Sequence, residues 1–277
     1  MGERKDTLVL ERADELWRPG TRREFLRLLG IGGTVVLLPS VFAACDDDDD
    51  PTGTGGTNQP VSLNLSNDFG ILNYAYALEQ LEAAFYTAVL ASAVFNGLSV
   101  EEREVLTDLR DHEVIHREYF KAALGSTNRI RDLALNTATV APLVASRDAI
   151  LKNAEMFEDL GVAAYNGAGK YLTSADFLTM AGKIVSVEAR HAATIRDMRD
   201  ALGILGGDAD NTRFAGDTVV KPTGDTYQGL DVKLEPSVVI TAVGALNLLQ
   251  TSSAVTIGTQ PGTRAGTPNF APPSPTP

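Results

Sequence analysis

Two of the chain's three histidines follow a glutamate by three residues, as Glu113-Val-Ile-His116 and Glu188-Ala-Arg-His191. A second spacing precedes each pair: a glutamate seven residues ahead of a tyrosine, in Glu79…Tyr86 and Glu158…Tyr165. The order E-x6-Y, E-x-x-H therefore occurs twice. On a helix, residues three apart share a face, so each E-x-x-H sets a carboxylate beside an imidazole. Four helices that each aim an acid inward, two of them adding a histidine, supply the ligand set of a carboxylate-bridged two-metal site. Carboxylate and imidazole donors suit iron or manganese, and the lack of cysteine among them argues against a thiolate zinc or iron–sulfur centre.

Laying one half over the other chooses between two acids in the first helix. Glu79 falls on Glu158, Leu81 on Leu160 and Tyr86 on Tyr165, whereas Glu82 falls on Gly161. Glu79 is the ligand this alignment selects, with Glu82 as the alternative. Tyr86 and Tyr165 lie seven residues from Glu79 and Glu158, about 10.5 Å along their own helices. Neither can reach its own acid. They can hydrogen-bond an acid on a facing helix and orient it, or they can be core tyrosines. His112 and Arg190 flank the motifs, either beside the ligands or on the surface.

Four helices are expected to carry these residues. The first runs from about Asn67 to Asn96, with Asn67 or Asp68 as N-cap and Gly97 suited to a left-handed end. The second opens on the capping box Ser99-Val-Glu-Glu102 and runs to Leu124 before Gly125. A less regular stretch, 125–141, has the length of a long crossover. The third helix starts at Pro142 and runs to about Asn166, where Gly167 and Gly169 break it. Ser174 caps the fourth, which runs to about Leu202. The expectation is an all-α four-helix bundle with a long crossover over 67–203 and an irregular C-terminal extension over 204–257.

In that extension, Gly206–Asn211 reads as a turn, since it lacks the pattern of a calcium loop. Val219–Leu234 reads as loop and Pro236–Leu249 as an apolar fifth helix. Residues 258–277, rich in Thr, Pro and Gly, read as a disordered tail.

The chain has 277 residues and a net charge of −12, which excludes nucleic acid as the expected partner because phosphates need a basic face. Five of the acids are the run Asp46–Asp50, which with the Pro/Thr/Gly-rich segment after it makes 46–66 a tether. Residues 1–45 read as an address. Thr21-Arg22-Arg23-Glu24-Phe25-Leu26-Arg27 resembles the twin-arginine export motif, and a glycine-broken apolar stretch follows from Leu28 to Ala44. Phe42-Ala43-Ala44-Cys45 resembles a bacterial lipobox, which implies lipidation of Cys45 and a membrane anchor. Val41-Phe42-Ala43 offers an ordinary signal-peptidase site instead. These resemblances imply an exported protein of the periplasm or cell envelope, with the twin-arginine translocase as partner during export.

The stretches Leu72–Tyr86, Phe157–Tyr165 and Val187–His191 resemble the exported ferritin-like domain proteins, a group that includes desiccation-related proteins, over roughly residues 67–203. The resemblance implies a bundle related to ferritin, rubrerythrin and manganese catalase. For the site, Glu113 and Glu188 are assigned as bridging ligands, Glu79 and Glu158 as terminal ones, and His116 and His191 as one ligand to each of two iron or manganese ions. Four carboxylates and two neutral imidazoles balance two divalent cations.

The expected function is redox chemistry with oxygen or peroxide in stress protection. The alternative is a non-catalytic metal-binding or structural envelope protein. Tether and extension would obstruct a closed iron-storage shell, though not a homodimer.

Overall fold

The computed structural model describes residues 60–201 and 231–262. The twin-arginine segment with Arg22 and Arg23, Cys45, the acidic run, the Gly206–Asn211 turn and most of the tail lie outside the described residues. Among the described residues no helix is long and apolar enough to cross a membrane.

Four long helices form the body: α1 (Asp68–Ala91), α2 (Val100–Asn128), α3 (Arg147–Ala168) and α4 (Ala175–Ala201). The fold is the all-α bundle that the spacing predicts. Side-chain caps set all four starts, Ser174 accepting from the Phe177 N–H at 3.3 Å ahead of α4. Asn67 accepts from the Gly70 N–H at 3.0 Å. Ser99 and Glu102 form both bonds of the capping box, and Ser146 accepts from Ala149 N–H at 3.1 Å. Each satisfies an N–H that the first turn leaves free.

Two contacts fix the helix directions. Asp68, at the start of α1, accepts from the backbone N–H groups of Thr173 and Ser174 at 2.7 and 2.8 Å, just before α4. Glu102, at the start of α2, accepts from Arg147 Nε at 2.6 Å, at the start of α3. Helices α1 and α4 therefore begin at one end of the bundle, and α2 and α3 begin at the other. The chain between α2 and α3 must travel the length of the bundle. It does so along α1, where Asn73 donates to Asn128 O at 2.6 Å and accepts from Ile130 N–H at 2.7 Å, and Gln80 accepts from Leu133 N–H at 2.7 Å. These buried amides stand on α1 because the stretch 129–134 of the crossover has no regular structure and brings backbone groups that need partners.

Several ends differ from expectation. Helix α1 stops at Ala91, and Gly97 sits in a 3-10 turn, Phe95–Gly97, without a left-handed conformation. A positive φ belongs instead to Gly125 (φ 63°, ψ 179°), which kinks α2 near its end; lacking a Cβ, glycine adopts it without steric cost. Pro142 lies in a 3-10 turn, Ala141–Val144, ahead of α3, which starts at Arg147. Gly167 does not break α3. It is glycine because the Leu234 carbonyl lies where a Cβ would stand.

The C-terminal extension contributes α5 (Pro236–Ala245), shorter than the stretch to Leu249 expected for it. It also contributes a strand that the sequence reading lacked. Val255–Thr259 (β2) pairs in parallel with Val61–Asn64 (β1). The inner end of the tether and the junction of extension and tail therefore form a two-stranded sheet, because the alternating apolar residues Val61 and Leu63 are buried against the bundle. With crossover, sheet and α5 around it, α1 is buried on nearly every side, and its apolar character all round follows from that.

Candidate metal centre

Glu79, Glu113, Glu158 and Glu188 are each 0 % exposed, one on each helix. On α2, Leu106, Leu109, Glu113, His116 and Phe120 are buried at helical spacing, so the packing that seats the leucines and the phenylalanine also turns the acid and the imidazole inward. The same logic on α4 buries Ile184, Glu188, His191 and Ile195.

The side chains converge in two groups: Glu79, Glu113, His116 and Glu188, and Glu113, Glu158, Glu188 and His191. Within each, one donor atom per residue lies within 4.8 Å of all the others. Glu113 and Glu188 belong to both groups, and each remaining residue belongs to one.

Both imidazoles present Nδ1 to the acids. His116 Nδ1 lies 2.9 Å from Glu188 Oε1, 3.3 Å from Glu113 Oε2 and 3.4 Å from Glu79 Oε2. His191 Nδ1 lies 3.0 Å from Glu113 Oε1 and 3.2 Å from Glu158 Oε2. One N–H cannot serve two or three oxygens. Accordingly Glu79 Oε2, Glu113 Oε1 and both oxygens of Glu188 are buried without a properly aligned hydrogen bond, despite the short approaches. Unpaired carboxylate oxygens in a dry core are costly. A cation, which can take several ligands at once, satisfies them all, so these residues fit a metal pair.

Protons carry that burden when cations do not. Burial, reinforced by the neighbouring acids, raises the carboxyl of Glu188 well above its ordinary value. Burial also lifts Glu79 to about 7, partly offset by His116. Glu113 goes the other way: burial opposes its charge, but hydrogen bonds from His116 and His191 hold it down to about 2. His191 rises to about 10, because Glu158 and Glu113 outweigh the burial that disfavours its charge. His116 is raised further, by Glu79, Glu113 and Glu188 against the same burial.

The tyrosines reach across. Tyr86 donates to Glu158 Oε1 at 2.5 Å, and Tyr165 donates to Glu79 Oε1. Glu82 stands apart from both four-residue groups. It is 3 % exposed, and burial followed by Glu188 and the other acids raises it well above its ordinary value. Its carboxylate occupies the space that Gly161 leaves: a Cβ there would meet Glu82 Oε1 at 2.8 Å and Glu188 Oε2 at 3.4 Å. The residue that breaks the repeat and the glycine opposite it are one packing feature. Sequence alignment set them against each other without indicating that they touch.

Of the flanking residues, Arg190 is exposed. His112 is exposed too, yet its Nδ1 lies 2.8 Å from His191 Nε2. Burial and the nearby His191 and His116 lower its pKa. Spacing carried no signal of this contact, because the partner is on another helix.

Residues 67–201 match the family model of the ferritin-like domain, which covers the whole bundle. No curated protein matches the chain.

Proposed function

We propose that this ferritin-like domain holds two iron or manganese ions, with Glu113 and Glu188 shared between them, Glu79 and His116 on one side, and Glu158 and His191 on the other. The convergence of buried, unpartnered carboxylate oxygens on two points carries the reading. Bound there, iron or manganese supplies redox chemistry toward oxygen or peroxide. The chain's own contribution is to hold and orient. Tyr86 and Tyr165 each tie down one oxygen of a terminal acid, leaving the other to face the site. The apolar core keeps bulk water away, which strengthens every charge interaction inside. The raised carboxyls and imidazoles hold protons that leave as cations enter.

Elemental analysis of the full chain, purified without chelator beside a Glu113→Ala/Glu188→Ala variant, tests the reading. About two ions per chain, lost in the variant, is the expected result. Absence of bound iron or manganese after anaerobic reconstitution would overturn it. Complete burial of the acids also suits the second reading, in which the ions only brace the bundle. Turnover of oxygen or peroxide by the loaded chain separates the two. The proposal includes export, supported by the Arg22-Arg23 motif, and anchoring through Cys45, supported by the lipobox resemblance; a cysteine-linked acyl group on the mature N-terminus is the expected mass-spectrometric result.

A further inference from the structure

We propose that His112 positions the ligand on one side of this centre only, so that the two ion positions are inequivalent; this rests on the reading above. His112 on α2 and His191 on α4 approach at 2.8 Å between Nδ1 and Nε2, with ring centroids 5.0 Å apart and planes 5° apart. Rings stacked face to face keep their atoms roughly 3.5 Å apart. A 2.8 Å approach between parallel planes therefore means that the rings meet edge to edge, in the geometry of an in-plane hydrogen bond.

The tautomers follow from that contact. His191 turns Nδ1 toward Glu113 and Glu158. A neutral imidazole that ligates through Nδ1 carries its proton on Nε2. That N–H donates to Nδ1 of His112, which must then be the bare nitrogen, with the His112 proton on Nε2. The bond holds the His191 ring at the angle that aims Nδ1 inward.

Among the described residues the other half has no such device: the polar partners of His116 all face its Nδ1. His112 lies four residues before His116, and the residue four before His191 is Val187, which has no polar group to offer His116. The ligand spacing repeats while its support does not.

An exposed residue is ordinarily replaced at little cost. Here a hydrogen-bonding partner of a ligand is removed, and the expected loss is about 10–100-fold in affinity for one ion of the two. The test is a zinc titration of the full chain, zinc being redox-silent, for the wild type, His112→Ala, His112→Phe and His112→Asn. Alanine and phenylalanine should weaken one binding step and spare the other. Asparagine, whose Oδ1 stands near the position of the imidazole Nδ1, should restore it. In the zinc-loaded wild type, a slowly exchanging Nε2 proton on His191 should appear in the nitrogen–proton spectrum and be lost in His112→Phe.

Two bound zinc ions with both steps unchanged in every variant would overturn the proposal and leave the centre standing. Equal loss at both steps would also overturn it, as general loosening. A wild-type chain that binds no zinc would overturn the centre itself, and this proposal with it.

Discussion

The hydroxyl of Tyr86 on α1 lies 2.5 Å from the carboxylate of Glu158 on α3, 72 positions along the chain. Tyr165 on α3 makes the converse bond to Glu79 on α1. Helices α1 and α3 run in opposite directions and carry the same seven-residue spacing, so each tyrosine lands beside the other helix's acid. The result is a pair of clamps at either end of the candidate centre.

Replacing either tyrosine by phenylalanine leaves a buried carboxylate oxygen without its donor. Loss of that bond should cost about 1–3 kcal/mol in the loaded state, or about tenfold or more in affinity for the ion on that side. Tyr86→Phe should weaken the Glu158 side and Tyr165→Phe the Glu79 side. Stepwise metal titration of the two variants and their double mutant reads this; losses that fall on the same step would contradict the crossed pairing.

The metal-free chain should lose stability as pH rises through the neutral range. Glu79 is raised from 4.5 to about 7 and His191 from 6.5 to about 10, so the native state holds protons the unfolded chain has released. Glu79's contribution is full below 4.5 and lost as pH rises through about 7; that of His191 is full below 6.5 and lost as pH rises through about 10. Glu113, held down to about 2, contributes above 4.5 and does not change in this window. Metal binding requires deprotonated ligands and has the opposite dependence. The gain in melting temperature on adding metal should therefore widen between about pH 6 and about pH 9; a constant gain would count against proton–metal exchange at these groups.

Gly161→Ala should strain the centre through Glu82. The new methyl would stand 2.8 Å from Glu82 Oε1, so the buried carboxylate must shift to admit it. The expected destabilisation is about 1–3 kcal/mol. Shortening Glu82 to alanine in the same chain should recover part of it, so a denaturation cycle over the four variants should show coupling. Strict additivity would mean that the two residues do not press on each other.

Gly167→Ala should free the C-terminal extension from α3. The Leu234 carbonyl sits where the added methyl must go, and Leu234 N–H donates to Ala163 O at 3.0 Å beside it. Limited proteolysis should cut near residue 234 sooner in the variant, while α1–α4 resist as before. Equal cutting rates would show that the strap does not depend on this approach.

Helix existence, the capping box at Ser99 and the inward faces that carry the four acids and two histidines are legible along the chain, because each depends on residues within a turn or two of one another. Helix ends were less legible. Gly97 and Gly125 carry the same local signal, and only packing decides which one takes a positive φ. The parallel pairing of Val61–Asn64 with Val255–Thr259 joins the two ends of the described chain. Neither strand has a partner nearby in sequence, so the first reads as tether and the second as the end of the irregular extension running into the tail.

At the candidate site, residue type and spacing alone select Glu79, Glu113, His116, Glu158, Glu188 and His191 as a set that faces one core. Periodicity says which way a side chain leaves its own helix and nothing about what it meets. That Tyr86 meets Glu158, that Gly161 makes room for Glu82, and that an exposed His112 backs His191 depend on helix direction and relative height in the bundle. Those are set by the crossover, the interhelical caps and the extension, whose contacts span distant parts of the chain.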